Sequence, residues 1–244
     1  MTKIIELIDA SFSAQDRNVV QNVSVQFIAS KTTAIIGPSG SGKSTVLKLA
    51  AGLLVPTKGE VLYKGKNIAH MNWAENLQFR RECAFVFQDS ALWANQNLDQ
   101  ILELPLKIHY PRMTRLQRAQ RIREVTTEAD YRKDLNIRPS RLSMGEQKLI
   151  AFARAMLCNP SLLFLDEWVE SLDETSANRL IEIVRRKQKE GASVIFVCHD
   201  MRIIRDLADY VLVIVDGMEA FEGTKEEILS SPELRNYLNM GITS

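Results

Sequence analysis

The sequence predicts an α/β fold, a core around a mainly parallel sheet with a helical lobe inserted near residues 89–157. Three observations predict it. Residues 33–51 run from a short apolar strand through a glycine-rich loop into a helical pattern. Residues 89–157 show apolar positions at helical spacing (Leu98, Ile101, Leu102, then Leu116, Ala119, Ile122, Val125) and no good strand candidate. From residue 162 onward, strand and helix patterns alternate again, the signature of parallel strands joined by helical crossovers.

The elements follow in order. Residues 33–36 form a strand, and residues 45–51 a helix that Gly52 and Pro56 end. Residues 61–63 read as a strand entering the turn Lys64-Gly65-Lys66-Asn67, and residues 84–87 as a buried strand ending at Gln88. Beyond the lobe, residues 162–165, 194–198 and 211–215 are strands, and 174–189 and 201–208 are helices. Thr224 and Glu227 have capping-box spacing for a short final helix. The predicted division is one domain over 1–244, with 1–88 and 158–244 as its core and 89–157 as a helical subdomain.

Composition narrows the function. The chain has 244 residues, about one large domain. Lys plus Arg is 31 and Asp plus Glu is 30, which argues against a polyanion-coating protein, so no nucleic-acid partner is expected. Cys83, Cys158 and Cys198 are widely spaced and odd in number, which fits a reducing compartment rather than a disulfide framework. The most apolar runs fall far short of the ~18–20 residues that span a bilayer. The opening MTKIIELIDAS has acids within its apolar run and no leader-like layout. Work at a membrane would therefore require a partner to hold the chain there.

The chemistry begins in the loop Gly37-Pro38-Ser39-Gly40-Ser41-Gly42-Lys43-Ser44, which fits G-x-x-x-x-G-K-[ST]. Glycines let backbone N–H groups turn inward around phosphate oxygens, and the following helix adds its positive end, starting near Thr45. Lys43 would reach the β- and γ-phosphates of ATP, and the Ser44 hydroxyl would ligate Mg²⁺. The strand 162–165 then ends in Asp166-Glu167. Adjacent carboxylates there need a cation or hydrogen bonds to offset their burial. Asp166 is expected to hold Mg²⁺ and Glu167 to orient or deprotonate the attacking water. Ser143 opens the segment Ser143-Met144-Gly145-Glu146-Gln147 as a natural N-cap ahead of a helix over 147–157, and a helix N-terminus is an anion site. His199, at another strand end, can bond a terminal phosphate or be a partly buried structural histidine, and Gln88 can meet Mg²⁺ or water or be a polar loop residue.

Taken in order, the glycine loop, Gln88, LSMGEQ, LLFLDE, Ser171-Leu172-Asp173 and His199 resemble the ATP-binding subunit of ABC transporters over about residues 4–238. The resemblance implies a P-loop ATPase fold with an antiparallel β part near the N-terminus, and ATP hydrolysis with Mg²⁺ as cofactor. It implies a head-to-tail pair of ATPase subunits, a homodimer, in which Ser143, Gly145 and Glu146 of one subunit meet ATP held by the other. It also implies integral-membrane permease partners and a place at the cytoplasmic face of the inner membrane. Segments 87–106, 139–143 and the tail 231–238 resemble the ATPases of bacterial MCE/Mla-type phospholipid-trafficking systems, which would add a lipid-binding accessory subunit. The alternatives are an amino-acid or other small-solute importer, a lipoprotein-release system, or a regulatory ABC ATPase with low turnover.

Four features depart from the family pattern. Ala14 falls where an aromatic usually stacks on adenine, with Phe12 assigned to the core, so base stacking is expected to be weak. Met144 replaces a glycine and Glu146 a glutamine in the signature segment. Trp168 follows Glu167 where proline is usual, and packing is its expected role. Leu149 stands where arginine is often found. Finally, Arg112, Arg115, Arg118, Arg121 and Arg123 have no acid between them and predict a basic amphipathic helix with Leu116, Ala119, Ile122 and Val125 on its apolar side.

Overall fold

The computed structural model describes residues 2–15 and 17–231. In chain order its strands and helices are β1 (Lys3–Ala14), β2 (Arg17–Ile28), β3 (Thr32–Ile36), α1 (Lys43–Ala50), β4 (Lys58–Tyr63), β5 (Lys66–Asn67), α2 (Trp73–Glu82) and β6 (Cys83–Val86). Then come α3 (Leu98–His109), α4 (Arg115–Glu128), α5 (Met144–Met156), β7 (Leu162–Asp166), α6 (Glu174–Lys189), β8 (Ser193–Val197), α7 (Met201–Leu207), β9 (Tyr210–Val215), β10 (Met218–Thr224) and α8 (Lys225–Ser230). The tail 232–238 used in the resemblance lies outside the described residues.

Two sheets form. One is antiparallel, in the order β2-β1-β4-β5; the other runs β10-β9-β3-β8-β7-β6, with β10 antiparallel to β9 and the other pairs parallel. Strands β3, β7 and β8 are buried at all five of their positions. Continuous apolar runs of this kind are what a parallel strand needs when both faces are covered. Alternate residues feed two cores. Ile35, Phe164, Ile195 and Val197 face α1 and the antiparallel sheet, where Val46, Leu47, Leu49 and Ala50 pack. Ala34, Leu163, Leu165, Val194 and Phe196 face the opposite core, built with α3, α4, α5 and α6. Burial of this size is the main stabilising term, at about 25 cal/mol per Å² of apolar surface.

Between β6 and β7 the described residues form helices and no strand. Helices α3, α4 and α5 each start with a reciprocal capping box: Asn97 with Gln100, Thr114 with Gln117, and Ser143 with Glu146. Several sequence expectations need correction here. Helix α3 carries Pro105 inside it and runs through to His109, with Leu106 fully buried. Helix α5 starts at Met144, three residues earlier than predicted, because the Ser143 cap fixes its start. In α4, Ile122 and Val125 are buried, but Leu116 is 74% exposed and does not belong to the apolar side. Nor are the arginines a uniform basic face. Arg118 bonds Glu103 (2.8 Å), and Arg121 caps the end of α5 through the carbonyls of Leu157 (3.1 Å) and Met156 (2.9 Å). The expected antiparallel β part near the N-terminus is the sheet β2-β1-β4-β5, while strand β10 and helix α2 had no counterpart in the sequence reading.

The α2–β6 junction shows how a charge is held in place. Glu82 accepts hydrogen bonds from the Lys64 ammonium (2.7 Å), the Tyr63 hydroxyl and the Gln78 amide (2.8 Å). Burial pushes its carboxyl pKa up, but those bonds outweigh burial and bring it from 4.5 down to about 2. A depressed folded-state pKa stabilises the fold above the unfolded value and is lost as pH falls through the folded one. Glu82→Gln is therefore expected to cost on the order of 2 kcal/mol in chemical denaturation at pH 7, a difference that shrinks between pH 4.5 and about 2. A cost independent of pH would show that packing, not the charge, matters.

Candidate functional site

The site grows from the strand order. In β3-β8-β7-β6 all four strands are parallel, and in register Ile35 pairs with Val197, Val197 with Asp166, and Leu165 with Val86. Their carboxyl ends therefore lie side by side, where ligands bind in open α/β sheets. β3 delivers the glycine loop, β8 His199, β7 Asp166 and Glu167, and β6 Gln88.

The glycine loop has the backbone its motif requires. Gly37, Gly40 and Gly42 have φ of 143°, 74° and 97°. A Cβ at Gly37 would lie 2.0 Å from the Ile214 carbonyl oxygen, and one at Gly42 2.7 Å from that of Val19. At Gly40, by contrast, the space is open. Helix α1 starts at Lys43, so Ser44 and Thr45 lie in its first turn, where N–H groups have no helical partner. The Lys43 ammonium reaches back over the loop and donates to the carbonyls of Gly37 (3.0 Å) and Pro38 (2.8 Å). Burial lowers its pKa, opposed by Glu167 and Asp166. Pro38 and Ser39 complete the loop, and the buried Ser41 hydroxyl has no hydrogen-bond partner among the described residues. A glycine cradle, a buried hydroxyl without a partner and a lysine over the loop fit a polyphosphate.

The acids face this loop. Asp166 is 1% exposed and accepts a hydrogen bond from the Ser44 hydroxyl (2.8 Å). Burial raises its pKa against the opposing effect of Ser44 and nearby lysines. No group of three or more His, Cys, Asp or Glu side chains able to hold a metal occurs among the described residues. One hydroxyl beside one carboxylate suits Mg²⁺, which keeps waters and shares substrate phosphates rather than filling an all-protein cage.

Glu167 is 8% exposed and sits at φ 46°, a left-handed conformation uncommon for a residue with a side chain. Burial, then the neighbouring Glu170 and Asp166, raise its pKa to about 7. Its carboxylate Oε1 lies 3.0 Å from His199 Nε2. Gln88 is exposed, and its amide donates to the Glu170 carboxylate (3.3 Å). The structure thus brings Ser44 to Asp166 and His199 to Glu167, while the bond it gives Gln88 is to Glu170.

The signature segment lies apart from these contacts. Ser143 is exposed, and its hydroxyl both accepts from the Glu146 N–H (3.2 Å) and donates to the Glu146 carboxylate (3.0 Å). Lys133 pairs with Glu146 at 2.5 Å. Lys133, and behind it the Ser143 backbone, hold the Glu146 carboxyl below its ordinary pKa. A Cβ on Gly145 would meet the Ser171 carbonyl oxygen at 3.3 Å, so the glycine lets α5 approach the 171–173 loop. Met144 is 71% exposed. Of the other departures, Trp168 is fully buried and meets Phe196 edge-on, with ring centroids 5.3 Å apart. Ala14 is exposed, and Phe12 is half-buried against the core beneath the antiparallel sheet.

Sequence reasoning missed Lys148 and Glu170. Lys148 is 3% exposed, and its ammonium donates to the Glu167 carbonyl at 2.7 Å. One signal was available: Lys148 opens the run LIAFA, on a helix buried on most sides.

Comparison with known proteins gives this geometry a family. The model of the family described as "ABC transporter" matches residues 20–170. The intermembrane phospholipid transport system ATP-binding protein MlaF of Haemophilus influenzae is 32% identical over 95% of this chain and 88% of its own length. The methionine import ATP-binding protein MetN of Corynebacterium jeikeium is 29% identical over 93% of this chain, which spans only 61% of that relative. Among solved structures, the ATP-binding cassette MJ0796, dimeric in a post-hydrolysis state with ADP and phosphate, superposes with a TM-score of 0.83 at 27% identity, covering 91% of this chain and 98% of that one. The loop that cradles phosphate, the hydroxyl–carboxylate pair at its foot and these matches make the chain a member of the ABC transporter family, an ATP-binding, ATP-hydrolysing subunit that works with Mg²⁺.

Proposed function

We propose that the chain powers a membrane ABC transporter that moves phospholipid, with Glu167 as the base of its ATPase site. The observation that carries the ATPase part is the meeting of Ser44 with Asp166 and of Glu167 with His199 at adjoining strand ends. The glycine loop and Lys43 hold the β- and γ-phosphates. Ser44 and Asp166, with Gln88 nearby, would hold Mg²⁺, which draws charge from the transferred phosphoryl group. Glu167 takes a proton from a water as the water oxygen bonds to the γ-phosphorus and the bond to the ADP oxygen breaks. A pKa raised to about 7 makes it a competent acceptor near neutral pH. His199 fixes the Glu167 carboxylate and lies at the strand end where it can bond the γ-phosphate.

Ser143, Gly145 and Glu146 lie outside this cluster, and they act on ATP held by a second copy of the chain. The dimeric state of MJ0796 supports that reading. The helices within 89–157 form the subdomain that carries them. No described helix is long and apolar enough to cross a membrane. The proposed partner is an integral-membrane permease at whose cytoplasmic face this subunit docks, as the names of its transport-system relatives suggest. Phospholipid as cargo is supported by the match to MlaF, which runs nearly end to end in both chains. Methionine import is the second reading, supported by MetN, with a shorter match on the relative's side.

Two outcomes are expected. Glu167→Gln should lower ATP turnover by about 10²–10⁴-fold with Mg·ATP affinity kept, by phosphate release and equilibrium binding; unchanged turnover would remove Glu167 as the base. The protein purified from detergent extracts with its permease should show ATPase activity stimulated by phospholipid vesicles and indifferent to methionine. The reverse pattern would establish the import reading.

A further inference from the structure

We propose that Lys148 is a positioning residue for hydrolysis, a cation from the signature helix that holds the backbone of Glu167 in place. The inference rests on Glu167 being the base.

Glu167 stands on an unusual piece of backbone. At φ 46° the chain turns out of β7, so the carbonyl of Glu167 leaves the sheet ladder. Its N–H still donates to Val197 of β8 (3.1 Å). The carbonyl accepts from the Glu170 N–H at 3.3 Å and from the Lys148 ammonium at 2.7 Å. The shorter, charge-assisted bond is the stronger of the two. A residue held in a sparsely populated conformation needs surroundings that over-determine it. Here β8 grips one end of its peptide frame and α5 the other.

The same ammonium answers a charge problem. Asp89, Asp166, Glu167 and Glu170 all act on Lys148. Two of these acids are buried, and the buried cations among them are Lys43 and Lys148. Lys43 is committed to the phosphate loop, through Gly37 and Pro38. Lys148 therefore supplies positive charge from the opposite side, on the helix that begins with Ser143. A lysine at this depth would be costly without such partners, since desolvating an ammonium unpaired costs several kcal/mol. The neighbouring Leu149, 7% exposed and in the core, cannot serve in its place.

The consequence is a mechanical link. Helix α5 carries the signature segment at its start and, at its fifth residue, the contact that fixes Glu167. Movement of α5 against the sheet would displace the base by way of Lys148. A displacement of 1 Å is enough to cost about 10²-fold in rate.

The test uses the full chain and measures kcat, KM, equilibrium Mg·ATP binding and thermal melting together. Lys148→Met is expected to lower kcat about 10- to 100-fold while KM and Mg·ATP affinity stay within about 2-fold, because binding is left to the glycine loop. Lys148→Arg, which keeps charge and donors, should recover most of kcat. Lys148→Met on a Glu167→Gln background should add no further loss. If Lys148→Met does not fold, Lys148→Gln is used instead, with the same expectations. An unchanged kcat would overturn the proposal, as would parallel losses of kcat, affinity and melting temperature, or full additivity with Glu167→Gln. Failure of the underlying reading looks different: Glu167→Gln alone would retain turnover.

Discussion

The site depends on the cost of ending a fully buried strand in two carboxylates. Asp166 and Glu167 close β7, and burial raises both their pKa values. Placing acids there is unfavourable unless neighbours offset them. The strand order supplies those neighbours. With β8 between β3 and β7, the helix that follows the glycine loop can bring Ser44 to Asp166, while β8 itself brings His199 to Glu167. The compensation within the protein is partial, since both carboxyl pKa values stay raised. On the proposed reading, Mg²⁺ and a phosphate-bearing ligand would complete it.

The departures from the family pattern can be understood in the same physical terms. Trp168 fills the core against Phe196 where a proline would have stiffened the turn, so packing takes over a role usually given to backbone rigidity. Met144 lies outward at the first position of α5, so its bulk does not disturb the cap or the approach of Gly145 to Ser171. Leu149 joins the core and leaves Lys148 as the cation that α5 directs inward.

How much the sequence disclosed follows the physics of each element. β3, β7 and β8 were legible because strands covered on both faces must be apolar throughout. The glycine loop was legible because its backbone admits few alternatives. β2 alternates over Val23, Val25 and Phe27, all buried, which marks it as a strand of the antiparallel sheet. Helix α2 was hidden from periodicity because Phe79 is its one buried residue, although the Asn72–Glu75 box announces its start. The edge strand β10 is mostly exposed and shows no apolar pattern. In the site, motif residues were readable but their contacts were not. Gln88 pairs with Glu170, 82 residues further on, and Lys148 bonds a backbone carbonyl, a partner that no side-chain pattern announces.

On the proposed reading, the nucleotide-free fold holds an under-compensated acid, Asp166, that Mg·ATP completes. Thermal melting of Asp166→Asn beside the unchanged protein, each with and without Mg·ATP, tests it most directly. Without ligand, the variant is expected to melt at least as high as the parent, since an isosteric amide removes the buried charge. The rise on adding Mg·ATP is expected to be largely lost. A ligand-free variant that melts more than about 4 °C lower, roughly 1 kcal/mol or more at this size, would contradict it; so would one that keeps the full Mg·ATP rise.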